Sequence, residues 1–188
     1  MTAFEAQDPN FESAVRDSFD RLALMRTLGA TLEHVSAGEV EIVVPFRNDL
    51  TQHHGFMAAA VLTAIVDVAC GYAAMTLMPA ESSVLTIEYK ANFLAPARGE
   101  RMVARGRVIR PGRTVTVCAG DVVAVEGRTE KPVATLLATM MRVAGDHPTP
   151  PAGTMARAQQ APAHSRGSRR WCLCRAWNKH RRDITAPA

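Results

Sequence analysis

The chain has 188 residues, 22 of them basic and 18 acidic, for a formal net charge of +4. That length supports one domain with a sizeable core, or a domain plus a tail. Residues 147–188 carry eight Lys/Arg, one Asp and five of the 11 prolines, which leaves 14 basic and 17 acidic residues before them. The positive charge therefore belongs to the end of the chain and gives no ground for reading the preceding part as a nucleic-acid binder.

The opening stretch, MTAFEAQDPNFESAVRDSFDR, has no basic run followed by an apolar one and does not read as a signal peptide. Cys70 and Cys118 sit in apolar runs, and Cys172 and Cys174 lie near the end, which is too sparse for a disulfide framework. Both features predict a cytoplasmic protein. Residues 10–28 have helical spacing, with Phe11, Val15, Phe19, Leu22, Leu24 and Met25 set among charges, so 1–29 reads as an N-terminal helical segment. Two strands follow, 31–36 and 39–46, joined by a tight turn at Ala37-Gly38.

A polar loop, RNDLTQHHG, leads into an apolar helix over 56–78 whose only charged residue is Asp67. The stretch is long enough to span a bilayer. A carboxylate at its midpoint costs roughly 2.5–3.5 kcal/mol on insertion scales, no Lys or Arg closely flanks it, and strands follow at once. An enclosed helix is expected instead, with no membrane partner. Four strands come next: 83–96, 100–111, 113–127 and 131–144. Pro/Gly turns at 96–99, 111–112 and 127–132 separate them, so an antiparallel meander is expected. A helix apolar nearly all round must be covered, and a curved antiparallel sheet wrapped around it makes an α+β domain over 30–146. Residues 147–188 lack periodicity and read as a disordered basic tail. Its Cys172, Cys174 and His180 have C-x-C-x5-H spacing with no firm fourth ligand, so no metal is expected.

Asp67 raises the functional question. On a helix, Val61, Ile65, Val68, Tyr72 and Met75 share one stripe, expected to fill the concave side of the sheet. Ala60, Ala64, Asp67, Gly71 and Ala74 share another, which is small except at Asp67. In a narrow space lined by methyl groups and glycine, desolvation raises a carboxyl's pKa and suits it to act as a base. The alternative is a structural Asp satisfied by a partner's Arg or by backbone donors. The loop before the helix sets Gln52, His53, His54, Gly55 and Phe56 at the helix start, where unpaired N–H groups can polarise a carbonyl. A solvated polar loop is the plainer reading of the His pair. Ala59, in the first turn, is eight residues from Asp67, or about 12 Å along the axis. One carbonyl cannot reach both in one chain. If both serve one reaction, two copies must meet with their helices antiparallel about a two-fold axis.

The segments QHHGF, TAIVDVACGYAA, VLTIEYKANFLAPARGE and VIRPGRTVTVCAGDV together resemble the hotdog-fold acyl-CoA thioesterases of the phenylacetate-degradation (PaaI-like) type, over about residues 30–144. The resemblance implies a sheet wrapped on a central helix, a homodimer or homotetramer, and hydrolysis of a CoA thioester with no cofactor. By position it implies Asp67 as general base or nucleophile, Gln52 near the substrate carbonyl and water, Ala59 as the polarising backbone N–H, and Thr86 positioning the water. It also implies a substrate-binding set of His54, Gly55 and Phe56. Arg110 and Arg113 flank the RPGR turn and could meet CoA phosphates, as could Arg98 and Arg101; an ordinary basic hairpin tip is the alternative. The family commonly has His-Gly-Gly or His-Ala-Gly at the helix start where this chain has Ala58-Ala59-Ala60. That departure raises a rival, a non-catalytic acyl-CoA binder on the same fold. A dehydratase of this fold is disfavoured, because no Asp-x-His or His-plus-Glu pairing is found.

Overall fold

The computed structural model describes residues 4–145. Within them the elements are α1 (Phe11–Arg21), α2 (Ala23–Leu28), β1 (Thr31–Ser36), β2 (Glu39–Pro45), a short 3-10 turn (Asn48–Leu50), α3 (Ala59–Met75), β3 (Ser82–Phe93), β4 (Arg101–Arg110), β5 (Val115–Glu126) and β6 (Thr129–Ala144). The strands form one antiparallel sheet in the order β1-β2-β4-β5-β6-β3. Helix α3 packs on β2, β3, β4, β5 and β6, so the sheet wraps it as the apolar pattern requires. This is the expected α+β architecture. The expectations for the tail, including Cys172, Cys174 and His180, lie outside the described residues.

The meander is shorter than expected. It runs through β4, β5 and β6 only, while β3 crosses to the far edge to pair with β6, and β4 pairs with β2. The chain makes this crossing through residues 94–100, held by Leu94 N–H to the Val133 carbonyl and Glu100 N–H to the Val125 carbonyl. The N-terminal helix also differs, since it breaks at Leu22, whose backbone is extended (φ −76°, ψ 98°). No Pro or Gly marks the break. It lets Val15 and Phe19 on one side and Met25 and Leu28 on the other all reach the same core, so tertiary packing overrides local propensity.

The 23-residue apolar run yields a 17-residue helix. At its start Met57 bridges to Thr51, and its N–H bonds the Ala97 carbonyl. At its end the fully buried Thr76 accepts the Gly38 N–H at 2.7 Å and donates to the Ala73 carbonyl. One hydroxyl thus ties the β1–β2 turn to the helix end, and Gly38 supplies the left-handed backbone that turn needs (φ 84°). Among the described residues no helix is long and apolar enough to cross a membrane.

The two stripes of α3 are divided differently from the helical-wheel expectation. Ala59, Ala60, Thr63, Ala64, Asp67, Val68 and Met75 are exposed or half-buried, whereas Gly71 and Ala74 are buried. The reason is α1, which covers the C-terminal half of α3 through a Phe19–Tyr72 ring contact (6.1 Å) and a Tyr72–Ser18 hydrogen bond. The N-terminal half stays open. On its other side α3 lies almost directly on the strands: a Cβ built at Gly106 would stand 2.3 Å from the Ala69 carbonyl carbon, and one at Gly120 would stand 2.4 Å from a Val66 methyl. Replacing Gly106 with Ala must push helix and sheet apart, so Gly106→Ala is expected to lower stability by about 1–3 kcal/mol or more, read from the denaturation midpoint.

Candidate active site

Asp67 projects from the middle of α3 at the boundary between its open and covered halves. The Thr86 hydroxyl donates to Asp67 Oδ1 at 2.8 Å and also lies 3.4 Å from Met140 Sδ. Among the described residues no Lys, Arg or His forms an ion pair with Asp67. Of the structural alternatives, a partner's Arg is not something a single chain supplies, and among the described residues no backbone N–H donates to this carboxylate. Burial holds the Asp67 carboxyl above its ordinary range, and the Thr86 hydrogen bond pulls it only partly back. The result is a carboxylate with one hydrogen bond and no cation, more basic than a surface aspartate.

The same residues open on a cavity of about 290 Å³, walled by α3 (Asp67, Gly71, Met75), Ser18 of α1, Leu22 at the break after it, and the start of β3. A second cavity, about 520 Å³, lies at the helix start and is lined by Gln52, Phe56, Ala59, Leu62 and Phe93, together with the crossing segment. Ala58 is the N-cap of α3 (φ −64°, ψ 138°) and makes no side-chain cap hydrogen bond. The first two intrahelical bonds come from Val61 and Leu62 to the Ala58 carbonyl. The N–H groups of Ala59 and Ala60 have no acceptor among the described residues, so the positive end of the helix is free to meet a carbonyl oxygen.

The residues singled out from the sequence thus fall into separate places. Asp67 and Thr86 touch; Gln52, Phe56 and Ala59 share the helix-start cavity; neither of these two cavities holds members of both groups. The Gln52 side-chain oxygen accepts the His54 N–H in a tight turn completed by Gly55 (φ 78°). His54 is exposed, its ring 4.0 Å from that of His53. Arg110 and Arg113 lie far along the chain at the β4–β5 turn, and Arg113 lines a third cavity with Arg142 and Gln7. Among the described residues neither Arg110 nor Arg113 pairs with an acid, and no group of three or more His, Cys, Asp or Glu is placed to hold a metal ion.

Sequence reasoning missed Phe93, Ser18 and Leu22 as cavity walls. Phe93 had a detectable signal. Tyr89, Ala91 and Phe93 alternate out of phase with Val84 and Thr86, and the register shows why: Ile87 is an extra residue, a bulge between Thr86 opposite Met140 and Glu88 opposite Thr139. The bulge shifts the inner face from even to odd positions, so Tyr89, Ala91 and Phe93 share a side with Ala138, Leu136 and Ala134. Strict alternation would have placed Glu88 and Lys90 there. Ser18 and Leu22 had no comparable signal, because which side of α1 meets Asp67 depends on the break at Leu22. Neither core cysteine competes as a nucleophile: burial pushes the Cys118 thiol up to about 12, and the Cys70 thiol is raised by burial and neighbouring groups as well.

Comparison with known proteins agrees with this fold. Residues 54–131 match the thioesterase superfamily model. A thioesterase family protein from Silicibacter pomeroyi is 45% identical over 72% of this chain and 99% of its own, with a TM-score of 0.70. A candidate esterase of Halobacterium salinarum is 31% identical over 128 residues, 65% of this chain and 83% of its own. The PaaI protein of the Escherichia coli phenylacetic acid degradation operon, 16% identical over 74% of this chain and 98% of its own, shares the fold with a TM-score of 0.66. With a helix wrapped by a six-stranded antiparallel sheet and these relatives, the chain belongs to the thioesterase superfamily, as a hotdog-fold hydrolase.

Proposed function

We propose that the protein hydrolyses an acyl-CoA thioester in a site shared by two copies of the chain. One copy supplies Asp67 and Thr86, and the other supplies the start of α3. The observation that carries this reading is the division of the machinery among the described residues: a basic carboxylate without a cation in one cavity, and the free Ala59 N–H in another. An antiparallel two-fold approach along the small open face of Ala60, Ala64 and Asp67 brings each group to its complement and builds two equal sites. The edge strand supports the same arrangement. β3 is twelve residues long and unpaired on its outer side, with Leu85, Ile87, Tyr89 and Phe93 each about half exposed. An apolar edge of that kind favours pairing with another strand.

In this mechanism the thioester carbonyl oxygen accepts the Ala59 N–H of one copy, which withdraws electrons from the carbonyl carbon. Asp67 of the other copy takes a proton from water held by Thr86, and the oxygen attacks that carbon. The helix N-terminus stabilises the resulting oxyanion. The C–S bond then breaks, the acid is released, and the sulfur leaves as CoA thiolate or, with Asp67 returning the proton, as thiol. Direct attack by the Asp67 carboxylate, through an anhydride, is the variant route. Gln52 stands beside the carbonyl and water, and His54, Gly55 and Phe56 form the lip. Arg110 and Arg113, free of acid partners among the described residues, suit the CoA phosphates. The reaction is assigned to the cytoplasm, in keeping with free Cys70 and Cys118 in the core.

Asp67→Asn keeps the shape and removes the base. It is expected to cut thiol release from acyl-CoA by about 10²–10⁴-fold; turnover at the parent rate would refute the assignment, while binding without turnover in the parent would favour the non-catalytic rival. Because folding raises the Asp67 value, activity should fall on acidification through a limb above the ordinary aspartate range. Thr86→Val, which removes the opposing hydrogen bond, should move that limb higher in pH. The sign for stability is opposite: ionising Asp67 opposes folding, a penalty absent below the ordinary carboxylate value and complete above the raised one.

The shared site has its own test. Ala59 is the first helical residue and follows an extended Ala58, so Ala59→Pro removes the N–H without breaking the helix. Either variant alone should be inactive. Mixed as Asp67→Asn and Ala59→Pro, they should recover about a quarter of parent activity, since half of randomly formed dimers are hybrids with one intact site. No recovery in a demonstrated hybrid would exclude a site shared in this way. For the arginines, Arg113→Ala is expected to weaken CoA binding several-fold by titration calorimetry, with the loss shrinking at high salt.

A further inference from the structure

Gly71 is out of keeping with the other buried glycines. At Gly106 and Gly120 an added methyl group would collide with α3 itself, so close packing of helix and sheet accounts for them. At Gly71 the only atom within 4 Å of a built Cβ, among the described residues and beyond the helix's own backbone, is Val84 Cγ1, at 3.7 Å, an ordinary contact. Glycine weakens a helix interior relative to alanine, and φ there is not in the left-handed region. Neither backbone conformation nor packing within the chain calls for a glycine. The space it leaves belongs to the cavity beside Asp67. Gly71 stands one helical turn beyond Asp67, about 6 Å along the axis, on the side toward Met75.

Across that space lies α1. Leu22 faces it from the extended break between α1 and α2, and Ser18 stands beside it, anchored to the Tyr72 hydroxyl at 3.2 Å. Neither Ser18 nor Leu22 falls within the stretch 54–131 matched by the family model, so this wall is supplied by a part of the chain outside the matched core. The cavity is mostly apolar, with Leu22, Val68, Met75, Val84 and Leu85 around it. The carboxylate and the Thr86 hydroxyl are at one end. Its width one turn from Asp67 is set by what is missing at Gly71 and by how far Leu22 reaches.

The geometry points to this cavity as the acyl pocket, with Gly71 and Leu22 as the residues that set its width, and to a substrate whose acyl group carries a branch or ring close to the carbonyl. The inference rests on the hydrolytic reading above and adds to it the class of acyl group. A straight chain can pass a narrower channel along Met75. A group that broadens within the first few carbons needs the volume left open at Gly71.

The test compares butyryl-CoA with 3-methylbutyryl-CoA and benzoyl-CoA, using the full chain and thiol release as the readout. The parent is expected to take the two broad thioesters at least as well as the straight one, judged by kcat/KM. Gly71→Ala should lower the broad-to-straight ratio by about tenfold or more, the usual discrimination of a methyl group in an apolar pocket. Leu22→Ala should move the ratio the other way. An unchanged ratio in Gly71→Ala, with its thermal midpoint at or above that of the parent, would overturn the proposal, as would a uniform loss on all three thioesters. Equilibrium binding of the same three thioesters in an Asp67→Asn background reads the ratio without turnover. Absence of hydrolysis in the parent therefore counts against the catalytic reading alone, while the ratio decides the pocket.

Discussion

The close seat of α3 on the sheet is the constraint on which the rest depends. The bare position at Gly106 lets β4 run against the helix backbone at Ala69 and Cys70, and the one at Gly120 leaves room on β5 for the Val66 and Cys70 side chains, closer than any side chain would permit. That contact fixes the rotation of the helix, and the rotation decides what remains uncovered. Leu62, Ile65, Val66, Ala69 and Ala73 go into the sheet, so Asp67 must face away from it. The carboxylate is reachable because the opposite face of its helix is locked.

What the uncovered face exposes is incomplete chemistry. A helix start with free amides and a carboxylate without a cation are both unsatisfied arrangements, and they sit eight residues apart on one rigid rod. Rigidity is useful here: neither group can fold back to neutralise the other, so each stays ready for an external partner. Thr86 makes the one concession, a single hydrogen bond that orients the carboxylate without suppressing its basicity.

Much of this was legible from the residues. The apolar run with one acid announces a covered helix and a special position within it, because burying a charge without purpose is costly. The Ala37-Gly38 turn and the strands beside it, expected at 31–36 and 39–46 and found at 31–36 and 39–45, could be read because turn chemistry is local. Three features could not be read in the same way. Strand order depends on pairings between residues far apart in sequence, so the placement of β3 beside β6 left no local trace. The break at Leu22 has no Pro or Gly to mark it and exists because Val15, Phe19, Met25 and Leu28 must all reach one core. The division of the α3 face between open and covered halves follows from α1, an element whose position a helical wheel does not contain. Asp67 and Thr86 could be paired by resemblance; the cavity wall at Ser18 and Leu22 needed the fold.

The bulge at Ile87 has a consequence for how this edge can change. One extra residue hands the inner face of β3 from Val84 and Thr86 to Tyr89, Ala91 and Phe93, so the strand serves the carboxylate at one end and the helix-start cavity at the other. Each half obeys its own parity. Because Ile87 is the residue without an opposite number, its loss would leave Thr86 across from Met140 and Glu88 across from Thr139, so both halves would keep their faces and only the local kink would go. The bulge is the point at which this strand can shed a residue without exchanging one face for the other.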